Sequence, residues 1–78
     1  MSELTPAKTL DVQGLFCPIP VFKAKKLIEE VRQGEILEIL ATDETTKMDI
    51  PDWTRRAGHD LLEVKEEDGI FKFYIKKC

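Results

Sequence analysis

The segment that decides the fold is residues 10–20, which read LDVQGLFCPIP. Alternating apolar and polar side chains predict a short strand over Lys8–Val12, and Gly14 then interrupts it with a residue that tolerates a positive φ. Proline is favoured at the first position of a helix, so Pro18 places Cys17 at or near the N-cap. The segment is therefore a strand-to-helix junction with a cysteine at the start of the helix.

Outward from this junction, the first helix is predicted to run from Pro18 to about Gln33, with Gly34 as its stop. Its apolar side chains recur at three- and four-residue spacing and form one face: Val21, Ala24, Leu27, Ile28 and Val31. A second strand is predicted over Ile36–Ala41, where apolar residues occupy both faces.

The rest of the chain predicts a second helix and a hairpin. Asp43 or Thr45 can cap the helix, which runs to about Ala57 and contains Pro51, either in its first turn or at a kink. Its core-facing residues are predicted to be Ile50, Trp53 and Ala57. Strands over residues 61–66 and 70–76 flank Asp68-Gly69, a tight-turn signal. In the last strand one face is predicted to carry Phe71, Phe73 and Ile75, and the other Lys72, Tyr74 and Lys76.

The element order β-α-β-α-β-β predicts an α+β fold, a two-layer α/β sandwich with a four-stranded mixed sheet and both helices on one face. The first two strands should be parallel and the final hairpin antiparallel. One domain is expected over residues 1–78, with residues 1–7 a flexible N-terminus.

Composition excludes several classes of function. The 78 residues include 15 acidic and 12 basic side chains, a net charge of −3, which disfavours direct nucleic-acid binding. The sequence has no apolar run long enough to cross a membrane and no secretory signal pattern, so no membrane association and a cytoplasmic location are expected. No cofactor or metal site is predicted, and a chain this small is expected to work as a monomer with its chemistry at the surface.

Cys17 is the candidate for chemistry. A sulfur at a helix N-terminus faces free N–H groups and the positive end of the helix dipole, which favour the thiolate. Pro18 and Pro20 remove two of those N–H groups, so only a modest lowering of the pKa is expected. A small buried side chain is the alternative for Cys17. The only histidine, His59, is expected to be a helix C-terminal residue and not a base, and Pro20 excludes a local dithiol. With a base-assisted reaction and a dithiol cycle excluded, exchange of sulfur with a persulfide or disulfide is the reaction that remains for Cys17.

The run Leu10 to Pro20 resembles the signature of the TusA/SirA-type sulfur carriers, whose hallmark is C-P-x-P at the start of the first helix. Asp49-Ile50-Pro51 resembles the D-I-P element of their second helix, and Asp68-Gly69 matches their final turn. The resemblance extends from Leu10 to about Lys77. It implies a β-α-β-α-β-β sandwich similar to the C-terminal domain of translation initiation factor 3.

The resemblance also implies a function. Cys17 would accept persulfide sulfur from a cysteine desulfurase or a rhodanese-type donor. It would then pass the sulfur to a partner in tRNA thiolation, cofactor synthesis or sulfur metabolism. Pro18 and Pro20 map onto the structural flank of that cysteine, and Gly14 precedes it. The chain departs from well-known members in Ile19 and in its terminal Cys78. Cys78 is interpreted as a frayed terminus, as a resolving thiol for Cys17 or as half of a disulfide between two copies of the chain.

Residues beside Cys17 are candidates for partner docking. The helical spacing predicts that Phe22 is exposed one turn from Cys17, and Phe16 lies beside the cysteine. The two aromatic residues either form an apolar docking patch or are partly buried under a loop. The basic candidates are Lys23, Lys25 and Lys26, which either steer an acidic partner or form a solvated face. The alternative function is a non-catalytic binding or regulatory module using the same surface, and a nucleic-acid-binding domain is the weakest interpretation.

Overall fold

The computed structural model describes residues 5–16 and 18–78. The elements in chain order are strand β1 (Lys8–Val12), helix α1 (Ile19–Leu27), a 3₁₀ turn (Ile28–Glu30), strand β2 (Ile36–Ala41), helix α2 (Thr46–Arg56), strand β3 (Asp60–Glu67) and strand β4 (Ile70–Lys76). This order confirms the predicted β-α-β-α-β-β arrangement. Neither helix in the described ranges has the length and apolar character needed to cross a bilayer.

The strands form one mixed sheet in the order β1-β2-β4-β3. β1 and β2 are parallel, while β4 pairs antiparallel with both β2 and β3, as predicted. The pairing gives the sheet two distinct ends. At the motif end, named here for the strand-to-helix junction, β1 and β2 finish at Val12 and Ala41 and β4 begins. At the terminal end, β2 and β3 begin and β4 finishes at Lys76.

The core lies between one face of the sheet and the two helices. Leu37 pairs with Ile75 and Ile39 with Phe73 across β2 and β4, so the four side chains meet on one face. The helices and the segment that follows α1 cover that face with buried apolar residues: Ala24, Ile28, Val31, Ile50 and Trp53. The predicted grouping of Phe71, Phe73 and Ile75 on one face of β4 is therefore confirmed, and that face points into the core.

The first helix is shorter than the sequence pattern predicted. α1 ends at Leu27, a 3₁₀ turn continues to Glu30, and Val31 is already extended at φ −90° and ψ 137°. A turn replaces the predicted last helical residues, because the Glu35 N–H donates to the Arg32 carbonyl (2.9 Å) and the Glu35 carboxylate accepts from the Arg32 N–H (3.1 Å). Val31 is still buried, because the extended segment after the helix also packs against the core.

The second helix differs in two details. Ala57 is exposed, because α2 ends at Arg56, and Thr54 is buried in that part of the helix, donating its hydroxyl to the Ile50 carbonyl (2.7 Å). Pro51 lies inside α2 and not in its first turn. The regular i→i−4 bonding of this helix begins before the proline, with the Asp49 N–H donating to the Thr45 carbonyl (2.9 Å).

The opposite face of the sheet is polar and lies away from the helices. Tyr74 lies there as predicted, but only 8% of it is exposed. Its hydroxyl donates to Glu38 (2.7 Å), which also accepts from the Thr9 hydroxyl (2.9 Å). This bond and the burial of the ring raise the pKa of Tyr74 to about 12. A hydrogen-bonded chain thus links β1, β2 and β4 on the open face.

Candidate functional site

The turn after β1 brings the motif to the end of the sheet. Gly14 adopts φ +81°, a conformation that side chains with a Cβ rarely adopt, and its N–H donates to the Thr42 hydroxyl directly after β2 (2.8 Å). The Leu15 N–H returns to the Val12 carbonyl (3.1 Å). Gly14, predicted as structural support, therefore ties the junction to the motif end of the sheet.

The start of α1 is shifted by one residue from the prediction. Pro18 is the N-cap at φ −97° and ψ 11°, Ile19 is the first helical residue, and Pro20 is buried in the first turn. The Ile19 N–H donates to the Phe16 carbonyl (2.9 Å), so that amide is already engaged. The predicted placement of Pro18 at the first helical position is therefore wrong by one residue, while the prediction that Cys17 lies at or near the N-cap concerns a residue outside the described ranges.

Cys17 itself lies outside the described residues. Its neighbours in the chain, Phe16 and Pro18, are both exposed at the motif end. The site is therefore built from the described residues that flank the cysteine, and these present an open surface.

Apolar side chains surround the junction without being buried. Phe16 is 71% exposed, and Phe22 is 56% exposed, as the helical spacing predicted for Phe22. Ile19 (44% exposed) and Met48 (77% exposed) in the first turn of α2 add to the set, because both helices start at the motif end. Sequence reasoning missed Ile19 and Met48 as members of this surface, since their positions in the first helical turns give no periodic signal. We call these four residues the apolar rim.

The three lysines of α1 are exposed, and none forms an ion pair with a described residue: Lys23, Lys25 and Lys26. The Lys25 ammonium lies 5.8 Å from the centroid of the Phe22 ring, a cation–π distance. α1 contains no acidic residue. The predicted docking residues thus combine aromatic surface with uncompensated positive charge on one helix.

A cleft of about 330 Å³ separates α1 from α2 and reaches Pro18. Its apolar lining comes from Pro18, Val21 and Trp53. Its charged lining comes from both helices: Lys25, Asp49, Asp52 and Arg56. The sequence did not predict this cleft, because its walls combine residues that are distant in the chain.

The comparison with known protein families identifies the family of the chain. The family described as Sulfurtransferase TusA matches residues 8–77 of the chain. The chain belongs to the TusA family. The resemblance seen in the sequence motif is therefore confirmed over nearly the whole chain.

Individual TusA-family relatives agree with this assignment. The sulfur carrier protein TusA of Pseudomonas putida is 38% identical over 77 residues, covering 99% of this chain and 96% of the relative. The protein YrkI of Bacillus subtilis is 47% identical over 70 residues, covering 90% and 93%. The crystal structure of a SirA-like protein from Desulfitobacterium hafniense superposes with a TM-score of 0.79 at 28% identity, covering 88% and 95%. Sulfur transfer, with a donor and an acceptor of sulfur, is the general activity of such a family.

The terminal end of this TusA-family chain carries different groups. The Cys78 N–H donates to Nδ1 of His59 (3.1 Å), and the His59 ring lies edge-on to Trp53 at 6.1 Å between centroids. Cys78 is exposed. The strands place this pair a strand length, roughly 15–20 Å, from the motif end. His59 is therefore badly placed to act as a base for a thiol beside Pro18.

The open face of the sheet does not extend the site. Two of its cations are paired with neighbouring carboxylates: Lys65 lies 3.4 Å from Glu63 and Lys72 lies 3.0 Å from Glu67. The second pair raises the pKa of Lys72 and lowers that of Glu67, chiefly through their hydrogen bond. Within residues 5–16 and 18–78 there is no cluster of side chains suited to hold a metal ion.

Proposed function

We propose that this TusA-family protein accepts a sulfur atom on Cys17 as a persulfide and passes it to an acceptor protein. The observation that carries the proposal is the position of the Cys17-Pro18-Ile19-Pro20 sequence. It spans the junction between the described end of β1 and the described start of α1, at the open motif end, in a chain of the sulfurtransferase family. The exposed neighbours on both sides support access by another protein.

The chemistry is a pair of thiol–persulfide exchanges. The Cys17 thiolate attacks the outer sulfur of a donor persulfide, the donor S–S bond breaks, and the donor cysteine leaves as a thiolate with the bonding electron pair. Cys17 then holds –S–SH. In the second step an acceptor thiolate attacks that outer sulfur, and Cys17 leaves as the thiolate. The two steps balance without an oxidant or a reductant, and neither requires a general base.

The surroundings of the junction support exchange over other thiol chemistry. Pro20 occupies the place of a second cysteine in a local dithiol motif. The single histidine and Cys78 both lie at the terminal end. A carrier that only receives and releases sulfur needs neither group within reach of Cys17.

The docking surface for the donor and the acceptor is the apolar rim with the lysines of α1. Its uncompensated ammonium groups fit an acidic surface, and their field would raise the association rate with such a partner. Phe16 and Phe22 supply the apolar contact that a protein interface needs at its centre. We therefore propose that the donor protein has an acidic patch around its persulfide-bearing loop, and that this patch contacts α1.

The donor class we propose is a cysteine desulfurase or a rhodanese-type protein, in the cytoplasm. The acceptor would belong to tRNA thiolation, cofactor synthesis or sulfur metabolism. Each of these supplies or consumes a persulfide sulfur, the form in which Cys17 would hold it.

The test is the intact mass of the protein after incubation with a cysteine desulfurase and cysteine, without reductant. We expect a gain of one sulfur atom in the wild type and in Cys78→Ser, reversed by reductant. We expect no gain in Cys17→Ser. A gain that survives Cys17→Ser would contradict the proposal.

The competing function is a binding module that uses the same surface without sulfur chemistry. The exposure of Phe16 and Met48 favours it as much as it favours a relay. It predicts no sulfur gain with any donor and partner binding that is unchanged in Cys17→Ser. Pull-down of a desulfurase by both proteins, combined with the mass measurement, separates the two functions.

A further inference from the structure

We infer that the outer edge of β1 and the groove beside it bind an extended, acidic segment of a partner protein, which adds to the sheet as a further strand. The inference goes beyond the proposed function, because strand addition does not require transfer of sulfur. The two share Phe22, Lys23 and Lys26, which also belong to the docking surface proposed above.

β1 is an edge strand of the sheet. Within residues 5–16 and 18–78 the strand order is β1-β2-β4-β3, so β1 pairs with β2 and no strand lies on its outer side. Alternate N–H and C=O groups of such an edge are left for solvent or for another chain. Lys8, Thr9 and Asp11 are exposed, so an extended segment can reach the edge. Main-chain hydrogen bonds to an edge strand are a known source of affinity for extended peptides.

A groove of about 210 Å³ lies between this edge and α1. Its apolar lining is Leu10 and Leu27, which are half-buried and pack against the core. A second depression, of about 500 Å³, is lined by Phe22, Lys23 and Lys26 and shares both lysines with the groove, so the two form one surface along α1. Every second side chain of an added strand would point into this surface.

The charges of the groove select an acidic segment. Its one carboxylate, Glu30, lies 3.5 Å from Lys8, so this pair has no net charge. Lys23 and Lys26 form no ion pair with any residue that the structure describes. The groove is therefore positive, although the whole chain has a net charge of −3. The matching segment has an apolar side chain over the two leucines and a carboxylate two residues along, facing the lysines.

The other edge of the sheet does not fit the same segment. β3 reads DLLEVKEE, with four acidic residues and one lysine, so it repels an acidic strand. β1 reads KTLDV and has one residue of each charge. An acidic segment is therefore directed to the β1 edge.

The β3 strand of a second copy is an acidic extended segment too, but it fits the β1 edge less well. Glu66 lies 3.1 Å from Lys47 and Glu63 lies 3.4 Å from Lys65, so both carboxylates are engaged within their own chain. A contact between β1 and β3 is also head-to-tail, and it would add copies without closing. The occupant is therefore a segment of a different protein.

Binding is tested on the full chain, kept reduced, with the capped peptide TETITET. Its glutamates and isoleucine share one face, and its sequence reads the same in both directions, so it fits either strand orientation. We expect saturable binding and slower hydrogen exchange at alternate amides of β1, with the amides of β3 unchanged. The peptide TKTITKT, with the opposite charge, should not bind. Unchanged exchange in β1, or equal binding of the two peptides, would overturn the inference.

Two variants with the same change in charge locate the site. Lys26 and Lys25 are adjacent in α1, but Lys26 lines the groove beside β1 and Lys25 lines the cleft toward α2. We expect Lys26→Glu to weaken binding of TETITET about tenfold, and Lys25→Glu to weaken it about twofold at most at physiological salt. Equal weakening in the two variants would show that the peptide responds to overall charge and would overturn the inference.

Self-association and sulfur loading give the remaining outcomes. Sedimentation equilibrium without peptide should show a monomer. Association that rises with concentration and is lost in Lys26→Glu would assign the edge to a second copy and overturn the inference. Because TETITET contains no sulfur, its binding does not depend on loading. Failure of Cys17 to load would refute the proposed function alone, and normal loading without peptide binding would refute this inference alone.

Discussion

The two helices of this sandwich start at the same end of the sheet but present different surfaces. In α2 the cations are compensated: Arg55 and Arg56 both contact Asp52, and Lys47 lies 3.1 Å from Glu66. In α1 the three lysines have no carboxylate partner among the described residues. One helix satisfies its charges within the chain, and the other leaves them for solvent or a partner.

The difference comes from sequence spacing. α2 places Asp52 three and four residues before its arginines, which is the spacing that brings side chains together on one face. α1 reads IPVFKAKKL and has no acidic residue to pair with. It also exposes Phe22, whereas α2 buries Ile50 and Trp53. On the proposed function, α2 would mainly stabilise the fold and α1 would mainly serve recognition.

The largest expected effect tests the stabilising role of α2. Ile50 is fully buried, so Ile50→Ala leaves a cavity and should lower the free energy of unfolding by about 2–5 kcal/mol. Met48→Ala, on the exposed side of the same helix, should change it by about 0.5 kcal/mol or less. Denaturant titration of both variants measures the contrast. If Ile50→Ala does not fold, Ile50→Val should still lose about 1 kcal/mol. Similar losses for Ile50→Val and Met48→Ala would break the comparison.

The next effect tests the recognition role of α1. Reversing its three lysines to glutamate should lower the second-order rate of sulfur loading by a desulfurase about 30- to 100-fold, because attraction to an acidic partner becomes repulsion. The salt dependence of the rate should also reverse, because added salt now screens a repulsion and so raises the rate. Intact-mass measurements on samples quenched at successive times give these rates.

A control with the same change in net charge separates a local surface from overall charge. Arg55, Lys76 and Lys77 lie outside the apolar rim, and their triple replacement by glutamate should change the loading rate only about threefold. Equal losses in the two triple variants would show that α1 has no special role.

A smaller effect is expected at the aromatic residue of α1. Phe22→Ala should lower kcat/KM for sulfur loading about tenfold, through lost apolar contact, without a comparable loss of stability. Val64→Ala removes a similarly exposed apolar side chain from β3 and should leave loading unchanged. Parallel kinetics and thermal unfolding of the two variants decide the matter. A Phe22→Ala protein that is destabilised but loads sulfur normally would show that Phe22 stabilises the fold and does not contact the donor.

The smallest effect concerns the face of the sheet away from both helices. The bond to Glu38 raises the pKa of Tyr74 from 10.0 to about 12, so the folded state holds this proton more tightly than the unfolded chain. The resulting stability is complete below pH 10 and is lost as the pH rises toward 12. Titration followed by ultraviolet absorbance should show that Tyr74 ionises with a raised pKa. Glu38→Gln should move that pKa toward 10 without altering sulfur loading. An ordinary midpoint in the wild type would contradict the hydrogen-bond geometry.

Much of this architecture follows from local patterns. The strands Lys8–Val12 and Ile36–Ala41 were predicted with their observed bounds, because alternation and glycine breaks delimit them sharply. The end of α1 was predicted too late in the chain, because Val31 continues the helical spacing of apolar residues. In the structure its backbone is already extended. Ala57 was predicted to face the core and is exposed, because α2 ends one residue before it, at Arg56.

The candidate site divides in the same way. Phe16, Phe22 and the lysines of α1 were predicted because a single helix and its junction carry them. The cleft between the helices was not, because it depends on how α1 and α2 pack across the sheet. The chemistry of Cys17 was expected from its motif and stays a prediction, since that residue lies outside the described ranges.

The most direct test of the account is to locate the transferred sulfur in the wild-type protein, where both cysteines compete. The protein is loaded by a desulfurase, alkylated, and cut after glutamate, which separates the peptides that hold Cys17 and Cys78. The account predicts that the persulfide adduct is found on the Cys17 peptide, at the motif end, with little on Cys78. An adduct mainly on Cys78, or divided equally between the two peptides, would contradict it.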